Sequence, residues 1–522
     1  MIAREKLFAL AGLFLLATGT VVLYAQKSFG SQEDFVLQTT SCRVPMTLLR
    51  DSEGAPGPDT VVIHGLSANR RVMLTLGEAI RRAGGNVYLL DLPGHGDNTQ
   101  PFSFSRADAC AREAVLALAE RGDLQTESTV LLGHSMGGDI AIRMADVFPA
   151  AATIAISPGP IVQLPDMPSF AKLLFTTPRR MPPNFFVLLA QFDPPPIRPA
   201  GEKLVALAGG IRASPEDFLQ KRAVNVTTLS LNTHTSIILV PQAAELVNDW
   251  IGRAIDFSAR PKEGTIGSIL GAFSGLLGLC FLFPSFASLI GRKAVSIETS
   301  AVSPSSMSRL SLVWFGAGIL AALLLMIPGE SPRLLGIFSG DYLVVYLLIA
   351  GGVLNPAMRY WGGTPQSVTK GIDWRGIAVG ATLGFVTLFA FGAFLNWQFA
   401  DLWMNSSRWL RFWPLIFLFV PYLLAEERAL GEPCIDLPTR TRRFARFALL
   451  RFSIWLPMIL GIVILQSGQI LLFLLAIPFV MLSIGQRLGA DAIRRRTQSE
   501  VAAITFSAIL AAWFVAAVFP LN

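Results

Sequence analysis

Cysteine and histidine are scarce in this sequence, with four of each among 522 residues. The cysteines show no C-x-x-C pattern, and the histidines lack the spacing of zinc ligands. We therefore expect no metal site, and we expect no cofactor. Charged residues are also few, at 15% of the chain, whereas hydrophobic residues make up 52%. This balance excludes an ordinary soluble globule and predicts membrane-spanning segments.

The formal net charge of +7 would suit binding to nucleic acid or to anionic lipid. The basic residues lie beside apolar segments, however, where they orient membrane helices, so we expect no nucleic-acid partner. Cys42 and Cys110 could form a disulfide if their part of the chain lies outside the cytoplasm, but their spacing does not require one.

Composition divides the chain into three regions. Residues 1–29 contain Arg4 and Lys6, followed by an apolar run from Leu7 to Ala25 that is long enough to span a bilayer. This run could be a cleaved signal peptide, but it lacks a good cleavage site, and we favour a retained anchor. Residues 30–258 have the composition of a soluble domain, and residues 259–522 form a polytopic region of about eight helices. The expected spans are about 266–290, 310–327, 339–355, 376–395, 409–425, 447–466, 469–485 and 501–519.

The basic residues predict how these spans are oriented. If the first span runs outward and the others alternate, nearly all Lys and Arg of the short loops fall on one side, and the outer loops hold only Arg333, Arg408 and Arg411. Basic loops stay in the cytoplasm. We therefore expect a multi-pass protein of the cell membrane whose residues 30–258 and Asn522 lie outside the cytoplasm.

Short apolar runs alternate with helical patterns through residues 30–258. This alternation predicts an α/β fold with a mostly parallel sheet covered on both faces, followed by an all-α transmembrane domain. Ligands of such sheets bind beyond the carboxyl ends of the strands. The site residues should therefore follow predicted strands.

The segment from Thr129 to Asp139, TVLLGHSMGGD, contains the pattern G-x-S-x-G. An apolar strand leads into a sharp turn, and a helical pattern follows. A serine at such a turn projects its hydroxyl away from the backbone, beside the free N–H groups of a helix N-terminus. We interpret Ser135 as a nucleophile.

A serine nucleophile needs a base, and the base needs a group that orients it. His234 follows a predicted strand and precedes the last helix of the region, as the chain order Ser, acid, His requires. Asp193 ends a strand between the two and is the predicted acid. Asp166 lies far into a Pro-rich insertion, and Asp217 opens a predicted helix, so both are weaker candidates.

Two backbone N–H groups should form an oxyanion hole, those of Met136 and Leu66. His64, Gly65 and His95 are expected to shape the pocket. His134 should pack beneath the site. A cap is expected at about 158–184, and its apolar face would include Phe170 and Leu174.

Five motifs in order carry a family resemblance. They are HGLSANR at 64–70, DLPGHGDN at 91–98, GHSMGG at 133–138, LLAQFD at 188–193 and the late His234. Together they resemble the α/β-hydrolase superfamily, in its esterase, lipase and lysophospholipase branch. The resemblance covers roughly residues 58–255 and implies a serine hydrolase fold and activity. The C-terminal region resembles no family that we can name.

The sequence thus predicts a membrane-anchored serine hydrolase that cleaves acyl esters of lipids or lipophilic molecules. An acyltransferase with the same acyl-enzyme is an alternative, because only the acceptor differs. A second alternative is a polytopic transport or assembly protein with an accessory hydrolase-like domain, but a complete triad in the right order argues against it.

Overall fold

The structure is a computed structural model. It describes residues 2–26, 31–50, 57–159, 180–257, 266–290, 304–327, 332–361, 372–396, 402–431, 437–464 and 467–522. Two units can be distinguished. The α/β unit comprises Thr18–Ser274, Phe394–Leu402 and Pro520–Asn522, and the helical unit comprises Met1–Ala17, Gly275–Ala393 and Trp403–Phe519.

One sheet of eight strands organises the α/β unit in the part of the chain that is described. The strands are β1 Ser31–Gln38, β2 Arg43–Arg50, β3 Asp59–Ile63, β4 Asn86–Leu90, β5 Thr129–His134, β6 Ala152–Ile156, β7 Phe185–Phe192 and β8 Val224–Thr233. Their order is β1-β2-β4-β3-β5-β6-β7-β8. The strands from β3 to β8 are parallel, and β2 pairs antiparallel with both β1 and β4. Six carboxyl ends therefore meet at one edge of the sheet.

Helices cover both faces of this sheet. They are α2 Leu74–Arg82, α3 Phe104–Glu120, α4 Met136–Met144, α5 Ile197–Leu207, α6 Pro215–Leu219 and α7 Pro241–Ile255. In β7, Phe186 and Leu188 pack in a core with residues of α2 and α7, whereas Val187 and Leu189 pack with α5 on the other face. Burial on both sides explains why this strand is a continuous apolar run instead of an alternating one.

The helical unit contains long apolar helices. With α1 Ile2–Gln26, the helices outside the sheet are α8 Ile266–Ile290, α9 Pro304–Leu324, α10 Gly340–Trp361, α11 Trp374–Asn396, α12 Ser406–Leu430, α13 Leu437–Ile464, α14 Ile470–Leu474, α15 Ala476–Thr497 and α16 Glu500–Val518. Among the described residues, eight helices are long and apolar enough to cross a membrane: α1, α8 to α13 and α16. Within the unit, α12 packs against α10 and α16, and α9 packs against α13.

Buried charges cluster at one end of this helical packing. The Glu427 carboxylate of α12 accepts hydrogen bonds from three guanidinium groups, those of Arg443, Arg487 and Arg494. Arg443 and Arg487 also pair with Asp491, at 3.0 and 2.6 Å. Arg443 and Arg494 donate further to the Gly431 carbonyl oxygen just after α12. The cluster therefore binds the negative end of a helix dipole as well as two carboxylates.

The structure confirms the expected α/β fold with a mostly parallel sheet and the helical region that follows it. One expected span, at residues 469–485, is interrupted. Residues 469–485 do not form a single helix, because the helix breaks at Leu475 between α14 and α15. Neither α14 nor α15 is long and apolar enough to count as a span by itself. The second half of α15 contains Arg487, Asp491 and Arg494.

Candidate active site

Ser135 lies in the sharp turn between β5 and α4. Its φ of 54° is positive, which is unusual for a residue with a Cβ. The backbone holds this conformation from both sides, because the Ser135 N–H donates to the Ile156 carbonyl oxygen at 2.9 Å and the Ser135 carbonyl oxygen accepts from Asp139 N–H at 3.1 Å. Such strain is typical of a functional turn. The turn places Ser135 at the carboxyl edge of the sheet, where the residue is 9% exposed.

His234 follows β8 and reaches the Ser135 hydroxyl. Its Nε2 lies 2.9 Å from Ser135 Oγ, and its Nδ1 lies 2.8 Å from Asp193 Oδ1. An ionised carboxylate only accepts hydrogen bonds, so Nδ1 carries the proton and Nε2 is free to accept the hydroxyl proton. The structure thus brings together the three residues that the sequence proposed as nucleophile, base and acid.

The second oxygen of Asp193 is held by groups that the sequence analysis missed. Asp193 Oδ2 accepts from the Ser157 hydroxyl at 2.8 Å and from the Ala190 N–H at 2.8 Å. Ser157 is fully buried and follows β6 directly, as Asp193 follows β7. A polar residue just after a buried strand was the available signal. These two donors fix the carboxylate so that Oδ1 faces the imidazole.

The turn after β3 lies beside the nucleophile. A Cβ placed on Gly65 would lie 3.0 Å from the Ser135 Cβ and 3.0 Å from His134 Nδ1, so a side chain here would be crowded and glycine favours the close approach of the turn. Within the described residues, neither the Leu66 N–H nor the Met136 N–H donates to an acceptor in the protein. Two donors without a protein acceptor next to a serine hydroxyl are the arrangement that an oxyanion requires.

His64 and His95 connect this turn to the loop after β4 in a reciprocal way. The Leu92 N–H donates to His64 Nε2 at 3.0 Å, and the Ser67 N–H donates to His95 Nε2 at 3.2 Å. Each Nδ1–H in turn donates to a backbone carbonyl oxygen, that of Gly65 for His64 and that of Pro93 for His95, both at 2.8 Å. Both rings are buried, so they hold the two loops together from behind the site.

Both bonding patterns require a neutral imidazole, because Nε2 must accept. Burial lowers the pKa of His64, which keeps that ring neutral. The ring of His134, predicted to pack beneath the site, lies 5.0 Å from that of His234, and its Nε2–H donates to the His234 carbonyl oxygen at 2.8 Å. Burial, with the neighbouring His234 as the next cause, lowers the pKa of His134 to about 3.

Two predicted pocket residues, Phe170 and Leu174, lie outside the described residues, as does most of the cap expected at about 158–184. The cap therefore stays a prediction. The described residues contain no group of three His, Cys, Asp or Glu side chains suited to a metal ion.

The model of the Alpha/beta hydrolase family matches residues 60–244. This match covers the sheet from β3 onward and every residue of the site described above. The matched part of the chain is an α/β-hydrolase domain. We refer below to the α/β unit as the hydrolase domain.

Curated relatives of the hydrolase domain include two with enzymatic names. The chain is 32% identical over 123 residues to an "sn-1-specific diacylglycerol lipase ABHD11" of Xenopus laevis, which covers 22% of this chain and 37% of that protein. It is 33% identical over 94 residues to a "Probable alcohol acetyltransferase" of Saccharomyces cerevisiae, covering 18% and 27%. The matches span well under half of the length of these relatives.

Solved structures with a similar arrangement include two esterases. An esterase of Pyrobaculum calidifontis is 15% identical, with a TM-score of 0.34, and the match covers 49% of this chain and 94% of the other. The carboxylesterase EstE1 from a metagenomic library is 12% identical, with a TM-score of 0.35, covering 47% and 96%.

Proposed function

We propose that this protein is a membrane-anchored serine hydrolase that cleaves acyl esters of lipids or lipophilic molecules. The observation that carries the proposal is the continuous hydrogen-bonded chain from Ser135 Oγ through His234 to Asp193, with distances of 2.9 and 2.8 Å. A surface histidine or a turn-capping aspartate would not be expected to join a hydrogen-bonded chain to a serine at a strained turn.

Each group has a role in the proposed reaction. His234 Nε2 takes the hydroxyl proton as Ser135 Oγ attacks the ester carbonyl, and the Leu66 and Met136 N–H groups stabilise the oxyanion. The imidazolium, oriented by Asp193, then gives its proton to the departing alcohol. Water enters with His234 again as base, the acid leaves, and Ser135 regains its proton.

A lipophilic substrate is supported by two observations. Eight described helices have the length and apolarity to cross a membrane, and two of them, α1 and α8, flank the hydrolase domain in the sequence. One relative is named a diacylglycerol lipase. An enzyme held at a bilayer meets lipid esters at a high local concentration.

We further propose that the hydrolase domain lies outside the cytoplasm. The distribution of Lys and Arg among the loops supports this orientation. So does the disulfide between Cys42 and Cys110, because disulfides persist in oxidising compartments. Leu521 supports the same side for the C-terminal residues, since its N–H donates to the Gly94 carbonyl oxygen of the hydrolase domain at 3.0 Å.

This orientation requires an even number of crossings between the hydrolase domain and Leu521. The seven candidate helices after the domain, α8 to α13 and α16, give an odd number. We propose that α14 and the apolar first half of α15 together make the eighth crossing, broken at Leu475. Arg494 to Arg496 then lie in the cytoplasm. Protease added to sealed, right-side-out vesicles should digest the hydrolase domain, and protection of that domain would reverse the orientation.

Acyl transfer is the second candidate function. It uses the same acyl-enzyme and differs only in the acceptor, which would be a membrane-borne alcohol or amine in place of water. A relative named a probable alcohol acetyltransferase favours testing it.

The proposal is tested by labelling the full chain in membranes with a fluorophosphonate probe, followed by a panel of lipid esters of increasing chain length. We expect Ser135 to carry the label. Free acid as the product supports hydrolysis, whereas an acyl group moved to an added alcohol supports transfer. An unlabelled chain that turns over no ester would show that the proposed activity is wrong.

A further inference from the structure

Residues 520–522, here called the tail, follow α16 and belong to the hydrolase domain. Leu521 is 2% exposed, and both of its backbone groups are bonded. Its N–H donates to the Gly94 carbonyl oxygen at 3.0 Å, and its carbonyl oxygen accepts from the Phe102 N–H at 2.6 Å. Both backbone groups of Leu521 are thus bonded to residues 94–102, a segment that begins in the loop after β4.

Gly94 is shaped to receive the tail. Its φ is +75°, a conformation that favours glycine. A Cβ at this position would lie 2.5 Å from the Leu521 carbonyl oxygen and 2.6 Å from the Phe102 Cβ. Any other residue would therefore strain the loop and push the tail out.

The residue after Gly94 is His95, which is hydrogen-bonded to the turn after β3. This turn contains Leu66 and is called here the oxyanion turn. His95 Nε2 accepts from the Ser67 N–H, one residue beyond the predicted donor Leu66. The Phe102 ring meets the His95 ring edge to face, with centroids 5.2 Å apart. The tail therefore contacts two neighbours of His95. Gly94 precedes His95 in the sequence, and the Phe102 ring packs against the His95 ring.

We propose that Leu521 is a positioning residue of the active site, which holds the loop after β4 so that His95 can fix the oxyanion turn. This inference rests on the proposed function. In its support, the tail makes two backbone hydrogen bonds to one short stretch of the domain, and that stretch carries the bond to Ser67. Loss of the tail should loosen the turn without altering the Ser135–His234–Asp193 chain.

The test compares two truncations of the full chain. A chain that ends at Leu521 keeps the N–H bond to Gly94 and offers a terminal carboxylate oxygen to the Phe102 N–H, so it is the nearest control, and a chain that ends at Pro520 loses both bonds. Hydrogen exchange should quicken in residues 64–68 and 91–98 of the shorter chain only. Its kcat for ester hydrolysis should fall about tenfold with little change in KM, less than the ~10²- to 10³-fold cost of losing an oxyanion donor.

Combination with His95→Ala separates positioning from general stability. If the tail acts through His95, truncation at Pro520 should cost almost nothing further in the His95→Ala chain, because the bond to Ser67 is already lost. If the losses in kcat from truncation and from His95→Ala multiply in the double variant, or if hydrogen exchange in residues 64–68 is unchanged by truncation, the inference is wrong. Exchange needs no substrate, so it decides the role of the tail even if the chain proves to hydrolyse no ester, which would contradict only the proposed function.

Discussion

Buried polar groups serve different ends in the hydrolase domain and in the helical unit. In the hydrolase domain they form a chain of hydrogen bonds from Ser157 through Asp193 and His234 to the Ser135 hydroxyl. In the helical unit, Glu427 is surrounded by three guanidinium groups, and Glu426 accepts two hydrogen bonds from Arg451, at 2.6 and 2.9 Å. The first arrangement ends at the Ser135 hydroxyl, whereas the charged groups of the second bond to one another.

The difference shows that burial of charge does not by itself mark a reactive site. Ionisable residues within membrane helices are functional candidates by default. In the clusters around Glu426 and Glu427, every charged group has an opposite charge within 3.3 Å, and the Gly431 carbonyl accepts further hydrogen bonds from the guanidinium groups. The hydrolase domain instead leaves two N–H donors beside Ser135 without a protein acceptor among the described residues. This contrast supports the proposal that the chemistry occurs in the hydrolase domain and that the buried charges of the helical unit serve packing.

Ser135→Ala should have the largest effect. Loss of the attacking oxygen removes covalent catalysis, and the loss of a triad member typically lowers kcat by about 10⁴-fold or more. Fluorophosphonate labelling of the full chain should disappear, while its size-exclusion profile in detergent stays unchanged. Full labelling of the variant would show that another residue is the nucleophile.

Asp193→Asn should lower kcat by about 10³- to 10⁴-fold, because an amide can donate to Nδ1 and favour the wrong imidazole tautomer. KM should change little. Asp217→Asn is the matched control, since Asp217 caps a short helix through Ser214 and takes no part in the chain to Ser135. A greater loss in the control than in Asp193→Asn would show that the acid is misassigned.

The sequence predicted the sheet and the site to the extent that each depends on local pattern. Apolar runs identified the strands, the elbow indicated Ser135, and the chain order Ser, acid, His with positions after strands indicated Asp193 and His234. Ser157 escaped because its contact with Asp193 depends on the pairing of β6 with β7, where Ile156 lies opposite Leu188. The interruption of the expected span at 469–485 was not foreseen, because mean apolarity does not reveal a break at Leu475.

Tertiary contacts account for the other differences. The sequence predicts a helix over Arg70–Arg82, but α2 begins at Leu74, because the Arg70 N–H and guanidinium are bound by Asp91 in the loop after β4. No local pattern marks Leu521, whose bonds are made to residues more than 400 positions earlier in the chain. Pairings of such separation are outside what periodicity can predict.

Ser157→Ala should cost about tenfold in kcat. The change removes one of the two hydrogen bonds to Asp193 Oδ2 and leaves the other, from the Ala190 N–H at 2.8 Å. A hydrogen bond to a charged group contributes about 1.5 kcal/mol or more, close to a tenfold change in rate if it acts in the transition state. Unchanged kcat would mean that the Ala190 N–H alone orients the carboxylate.

Glu427→Gln should leave the rate of each labelled molecule unchanged and destabilise the helical unit. Removing one partner of a buried ion pair costs about 3 kcal/mol or more, because the guanidinium groups lose their counter-charge. The size-exclusion peak in detergent should collapse at a lower temperature. The control is Glu202→Gln, whose ion pair with Arg198 is about half exposed and should contribute little. A lower rate per labelled molecule would assign the cluster a part in the reaction.

His134 should make the hydrolase domain sensitive to acid. Folding holds the His134 pKa at about 3, well below the ordinary value of 6.5. Below pH 6.5 the unfolded chain binds a proton that the folded chain does not, so this contribution to stability is complete above pH 6.5 and is lost progressively as the pH falls towards 3.

The loss between pH 6.5 and pH 5 should be about 2 kcal/mol. His134→Gln removes the titrating group but keeps an amide N–H that can donate to the His234 carbonyl oxygen. The measurement is the temperature at which fluorophosphonate labelling, assayed after return to pH 7, is lost during incubation at pH 7 or at pH 5. Between pH 7 and pH 5 this temperature should fall further for the natural chain than for the variant, because only the natural chain gains a proton at residue 134 on unfolding. Equal losses would show that His134 is protonated in the folded domain or that its ring is not buried there.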